Sequence, residues 1–185
     1  MLADIVKRIR NENGLTTEVP DFDPSNGNER AKYLFLLEAP GAKAVESGFI
    51  SLDNPDQTAA NFRQLLDEAG IARSEIALWN IVPWYIGNKE FSKIRSAKGS
   101  DVEQGSATIR DICKEIKNLK AIILVGGAAR KAHVRLSTFC DCNIYSIHHP
   151  SPKVFNNSPE SRTENINVLQ FIKKRFDETS IGGNP

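Results

Sequence analysis

Four short apolar runs, separated by segments of helical periodicity, constrain this chain more than any other feature of its sequence. Tyr33–Leu37, residues 76–82, Ala121–Val125 and Asn143–Ile147 are each too short for a helix of ordinary length. Their unbroken apolar character fits strands buried on both faces. Turn residues stop the first and third: Ala39-Pro40-Gly41 follows one, and Gly126-Gly127 the other. Between the first two runs, Ala59, Phe62, Leu65, Leu66 and Ala69 recur at helical spacing ahead of Gly70, with Asp53 or Asn54 as cap and Pro55 in the first turn. Between the second and third, Ser100 and Glu103 have capping-box spacing, and Val102, Ile109, Ile112, Cys113 and Ile116 form one side. Residues 128–136 read as a shorter helix, and residues 160–176 as a last one with Ile166, Leu169, Phe171, Ile172 and Phe176 apolar. Strands alternating with helices imply crossover units, hence a three-layer α/β/α fold around a central, mainly parallel four-stranded sheet.

Length and composition place that sheet in a single domain spanning residues 1–185, with residues 11–30 and 178–185 as loose polar segments. No apolar run approaches the roughly 20 residues of a membrane span. The first ten residues alternate apolar and charged side chains as an amphipathic helix does, unlike a signal peptide, so the expected location is cytoplasmic. Cys113, Cys140 and Cys142 match no zinc or iron-sulfur spacing, so no metal and no cofactor are expected. The net charge of +1 gives no global pull toward nucleic acid. Two local basic patches remain: Lys89, Lys93, Arg95 and Lys98 after Trp84-Tyr85, and Lys173-Lys174-Arg175 near the C-terminus. The first adjoins a candidate site loop; the second reads as a solvated face.

In open α/β sheets ligands bind outside the carboxyl ends of the strands. Glu38-Ala39-Pro40-Gly41, Asn80-Ile81-Val82-Pro83 and His148-His149-Pro150-Ser151-Pro152 all lie at or just past expected strand ends, so they converge on one crevice. Glu38 can pair with a surface lysine or manage a water. Asn80 interrupts an apolar run, where an amide without partners costs about 1–3 kcal/mol. Either a loop backbone or a ligand with a complementary amide edge must satisfy it. His149 precedes a proline pair that stiffens the backbone; it is either a turn residue or a hydrogen-bond donor to a leaving group. His148 reads as structural. Phe49, after Ser47-Gly48, can be core or a stacking platform, and Gly41 allows close approach of backbone to a ligand.

These ordered segments, Glu38-Ala-Pro-Gly, Asn80-Ile-Val-Pro and His149-Pro-Ser-Pro, resemble those of the uracil-DNA glycosylase superfamily over about residues 33–155. The resemblance implies a monomeric, metal-free DNA repair enzyme that flips uracil out of DNA and hydrolyses its N-glycosidic bond. By the same resemblance Glu38 and His149 are catalytic, Gly41, Phe49 and Asn80 contact the base, Ser151 meets a phosphate, and Lys153 or Val154 enters the vacated space. Two positions depart from the pattern. Leu37 stands where the first motif usually opens with Gly, and Ala39 stands where the best-known water-activating Asp precedes Pro. That leaves the water's partner open, with Asp53, Asp56 and Asn61 next in line after Glu38. No bulky aromatic follows Pro40 to exclude a 5-methyl group. Hypoxanthine, xanthine or a mismatched thymine are therefore alternative bases, and a non-catalytic module for damaged DNA is the alternative class. The cysteine-held iron-sulfur cluster of some relatives is excluded, because no Cys precedes residue 113.

Overall fold

The structure, a computed structural model, describes residues 1–15 and 18–181, with side chains described as far as residue 178. In chain order the elements are α1 (Leu2–Asn13), β1 (Asp21–Phe22), β2 (Tyr33–Leu37), α2 (Ala42–Ser47), β3 (Phe49–Ile50), α3 (Gln57–Ala69) and β4 (Ile76–Asn80). They continue with α4 (Gly99–Glu115), β5 (Ala121–Val125), α5 (Gly126–Arg130), α6 (His133–Leu136), β6 (Asn143–Ile147), α7 (Pro152–Asn157) and α8 (Glu160–Ile181). The four expected strands form one parallel sheet in the order β4-β2-β5-β6. Helices α1 and α4 pack together, as do α3 and α8, which gives the three-layer α/β/α arrangement. Residues Tyr33 to Leu36 are fully buried, as the central position of β2 requires. Among the described residues, no helix is long and apolar enough to cross a membrane.

Register aligns the carboxyl ends. Leu37 lies opposite Asn80, Leu36 opposite Leu124, and Val125 opposite Ile147. The chain leaves β2 toward β4 on one side and later passes to β5 on the other, so the strand order switches direction beside β2. That is where such sheets open a crevice.

Several local details differ from the sequence reading. Helix α3 begins at Gln57 because Asp56, in extended backbone, caps it by accepting the Ala59 N–H at 2.9 Å. The expected caps are engaged elsewhere: Asp53 pairs with Arg63 and Arg73, and Asn54 donates to the Phe49 carbonyl. Helix α4 starts at Gly99, and Asp101, in place of the expected Ser100 and Glu103 box, accepts the Lys98 N–H at 2.7 Å. The helix expected over residues 128–136 is two short ones, with tight turns at Lys131 and Ala132 between them. In α8 the buried face runs through Ser161, Asn165, Leu169 and Ile172; Phe171 points away and leans on Tyr145.

Residues 18–30 make more fixed contacts than their polar composition implies, while residues 16 and 17 lie outside the described residues. Val19 and Phe22 are buried, and Phe22 stacks on Trp79 at 4.2 Å. Arg10 donates to the Val19 carbonyl, and the buried Asp23 carboxylate takes Arg73 at 2.7 Å and the Ser51 hydroxyl at 2.5 Å. At the other end, residues 178–181 continue α8, while 182–185 lie outside the described residues.

Candidate functional site

A cavity of about 530 Å³ opens at the carboxyl ends of β2 and β4. Glu38, Gly41, Asn80 and His149 all line it, together with Ala39, Ala42, Ala44, Asp56, Phe62 and Arg95. The three segments singled out in the sequence thus meet in one place. Phe49 stands outside the lining: it is 38% exposed in β3, and its neighbour Ile50 faces the cavity instead.

Asn80 closes β4 and is 2% exposed. Among the described residues, buried side-chain polar atoms without a partner occur on Asn26, Asn28, Tyr33, Trp79 and Asn80, and of these residues only Asn80 lines the cavity. The atom is Nδ2, a donor, and leaving it unpaired costs about 1–3 kcal/mol. A ligand oxygen in the cavity would recover that cost.

Glu38 follows β2 directly, and the ladder extends past the strand end: Ile81 N–H donates to the Leu37 carbonyl at 2.8 Å and Val82 N–H to that of Glu38 at 2.9 Å. Its backbone is therefore fixed by the sheet. Its carboxylate accepts the Ala97 N–H at 2.6 Å through Oε1. Among the described residues, its partner is this backbone N–H and not a surface lysine.

His149 follows β6 by two residues and packs on Gly126. A Cβ at Gly126 would stand 3.0 Å from the His149 Cβ, and Gly126 has φ +86, a backbone conformation that favours glycine. Burial pushes the imidazole pKa below its ordinary value, against the opposing pull of the Glu38 and Asp56 carboxylates. The ring is therefore neutral near pH 7 and donates or accepts without carrying charge. Its neighbour His148 is structural: its N–H and carbonyl bind the Asn165 amide, and its ring meets Glu164 at 2.7 Å.

Beyond His149 the expected stiff loop is the short helix α7. Ser151 caps it, accepting the Val154 N–H at 3.4 Å; Lys153 is exposed and Val154 half-buried. Asn61 donates to the Pro150 carbonyl at 2.8 Å, so it holds this segment. Of the three fallback residues only Asp56 lines the cavity, because Asp53 is drawn away by Arg73, which keeps its carboxyl below the usual range. Gly41 has ordinary φ (−80), and a Cβ there would meet nothing within 4 Å. Its use is open space, not unusual backbone.

Ile94, Arg95 and Ser96 line the cavity, so the segment 84–98 forms part of its rim. A bridge between Gly87 and Ile94 folds it back on itself, Asn88 caps the turn by accepting the Ser92 and Lys93 N–H groups, and Phe91 packs on Tyr85. Gly126 and the hairpin fold of this segment were not singled out as site features by sequence. Only the glycine pair after β5 offered a visible signal.

Among the described residues, no group of three His, Cys, Asp or Glu is placed to hold a metal ion. The three cysteines are free, with Cys113 and Cys140 sulfurs 3.9 Å apart, and hydrogen bonding to Cys113 and burial help push the Cys140 thiol up to about 12.

A family model described as the Uracil DNA glycosylase superfamily matches residues 24–173. Among solved structures, the chain is similar to the solution NMR structure of a candidate uracil DNA glycosylase from Methanosarcina acetivorans, with a TM-score of 0.51 and 14% identity, covering 78% of this chain and 92% of that one. At that identity the likeness speaks for the fold. No curated protein sequence matches the chain.

Proposed function

The chain belongs to the uracil DNA glycosylase superfamily, and from that premise we propose that it hydrolyses the N-glycosidic bond of uracil in DNA, leaving an abasic site. The observation that carries this reading is the orphaned Asn80 Nδ2 in a cavity shared with Glu38 and His149. Uracil offers an O4 acceptor to Nδ2 and an N3–H donor to Oδ1, whereas cytosine reverses that pattern.

In this mechanism the nucleotide is flipped into the cavity, since its C1′ is inaccessible inside a duplex. The bond between N1 and C1′ breaks with its electron pair passing to the base. Neutral His149 donates a hydrogen bond to a base carbonyl oxygen as negative charge grows there, an oxyanion-hole role. Glu38 offers its free oxygen to a water that adds to C1′; the carboxylate takes the water's proton, and its charge favours the cationic sugar before attack. Ser151 and Lys153 on α7 face the phosphate backbone, with Val154 or Lys153 filling the space the base leaves. Gly41 keeps the wall open for the base. Phe49 reaches the base only if β3 shifts toward the cavity. The chain acts as a monomer without metal or cofactor.

A second reading keeps the chemistry and enlarges the base. Ala39, Gly41, Ala42 and Ala44 are small residues in a wall that Pro40 and Lys43 also line, and no aromatic side chain stands in that stretch, which favours admission of thymine or hypoxanthine. A non-catalytic DNA-binding module is disfavoured, because a carboxylate in the cavity repels phosphate.

The test is incubation with uracil-containing single and double strands followed by alkaline cleavage of abasic sites. Strand scission at uracil alone supports the main reading, scission at thymine mismatches or hypoxanthine the second. Binding without scission would discard both.

A further inference from the structure

We propose that Arg95 and Asp101 are positioning residues for Glu38, acting through the Ala97 amide; this rests on the glycosylase reading. The chain of contacts is continuous. Arg95 grips Asp101 with both guanidinium arms, Nη1 to Oδ2 at 2.6 Å and Nη2 to Oδ1 at 3.0 Å, and Nη1 also donates to the Ser96 carbonyl at 3.1 Å. Asp101 accepts the Lys98 N–H at 2.7 Å. The residues on either side of Ala97 are thereby tied to one carboxylate at the start of α4. Ala97 itself is buried, and its N–H points at Glu38 Oε1 from 2.6 Å.

A glutamate side chain has three rotatable bonds, and nothing in β2 restrains its far end. The sheet fixes the Glu38 backbone only. What selects one orientation of the carboxylate is a single backbone N–H, and what places that N–H is the Arg95–Asp101 fork. With Oε1 committed to Ala97, Oε2 is left to receive a water. Planar two-point pairing of this kind gives geometric specificity that a point charge does not. The Arg95 guanidinium holds the Asp101 carboxyl down at about 2, so the fork stays ionised throughout the range in which a carboxylate base works.

A plain structural role for the pair would also be satisfied by capping α4, so the experiment separates the two through Glu38. Single-turnover cleavage at saturating protein is measured for Arg95→Gln and Arg95→Lys, each in the parent chain and in Glu38→Gln. Arg95 is chosen because its loss leaves the Asp101 cap to Lys98 in place. In the parent, Arg95→Gln lowers the rate about tenfold, within the roughly 10²-fold that an ångström of misplacement costs. In Glu38→Gln the same change costs less than about twofold, because the group being positioned is already disabled. Arg95→Lys recovers part of the rate. In parallel, the Ala97 amide proton resonance moves upfield in Arg95→Gln, as it does in Glu38→Gln. Equal losses in both backgrounds, or an Ala97 resonance that Arg95→Gln leaves unmoved, would overturn the proposal. Should the parent chain cleave no glycosidic bond, the function reading fails, and the Ala97 resonance alone decides whether the clamp exists.

Discussion

At the floor of the cavity, Asn80 ends β4 and Glu38 follows β2, two strands whose ladder continues past their ends with N–H to carbonyl distances of 2.8 and 2.9 Å at Ile81 and Val82. His149 lies two residues beyond β6. At the rim, residues 84–98 and α7 belong to no strand of the four-stranded sheet, and side chains help to hold them: Asn88 within the hairpin, Arg95 to Asp101, Asn61 to Pro150. The floor is thus fixed by the same backbone pairing that makes the fold, and disturbing it disturbs the protein. Removing a rim contact leaves the sheet intact. On the proposed function, chemistry belongs to the floor, and fine positioning and phosphate contact to the rim.

The floor should give the largest effects. Glu38→Gln is expected to lower single-turnover uracil cleavage by about 10² to 10⁴, and His149→Ala by about 10² to 10³. Neither change should weaken binding of uracil-DNA, and Glu38→Gln should tighten it slightly by removing a charge that repels phosphate. Full cleavage by His149→Ala would reduce that residue to a turn.

Gly126 is next, since it carries His149 without touching substrate. Gly126→Ala forces an alanine to a positive φ at a cost of about 1–2 kcal/mol and places its Cβ 3.0 Å from that of His149. Both thermal stability and cleavage should fall. Gly41→Ala, at ordinary φ with open space around it, should leave stability unchanged. Equal melting temperatures for the two variants would erase the distinction between a glycine the fold needs and one the cavity needs.

The rim should answer to salt. Among the described residues Lys89 and Lys93 have no ion-pair partner, whereas Lys173 pairs with Glu75 and Asp177, and Lys174 with Glu178. Replacing Lys89 and Lys93 together by Ser should flatten the slope of log K against log salt by about 1.4 to 1.8, two phosphate contacts. The same replacement at Lys173 and Lys174 should leave the slope unchanged.

The smallest effect concerns pH. Because burial lowers the His149 pKa, the unfolded chain binds the extra proton first as pH falls. The contribution of His149 is therefore complete above about 6.5 and is lost below it as pH falls toward the folded value. Denaturant midpoints for His149→Ala should vary less between pH 7 and pH 5 than those of the parent.

The same division explains what the sequence disclosed. Strand runs such as Ala121–Val125 are apolar because both faces are buried, and that pattern is written locally. Floor residues were legible because they interrupt such a run, as Asn80 does, or stand one or two positions beyond it, where a carboxylate or imidazole is conspicuous. The rim was not. The Ala97 N–H contact with Glu38 joins residues 59 apart, and that of Asn61 with Pro150 joins residues 89 apart. No local pattern encodes such pairings. Helix starts slipped for a related reason: Asp53, Asn54 and Asp56 are equivalent caps by composition, and only the tertiary arginines that occupy Asp53 decide among them.

Asn80 decides the substrate, because its unpaired Nδ2 is the donor that a uracil oxygen would meet on the proposed function. The direct measurement is cleavage by Asn80→Asp of matched strands carrying uracil or cytosine at one position, scored as alkali-labile sites. Uracil cleavage is expected to drop and the preference for uracil over cytosine to disappear, since the donor half of the amide is gone. A variant that cleaves uracil as fast as the parent while still ignoring cytosine would contradict this reading, leaving Asn80 a buried structural amide.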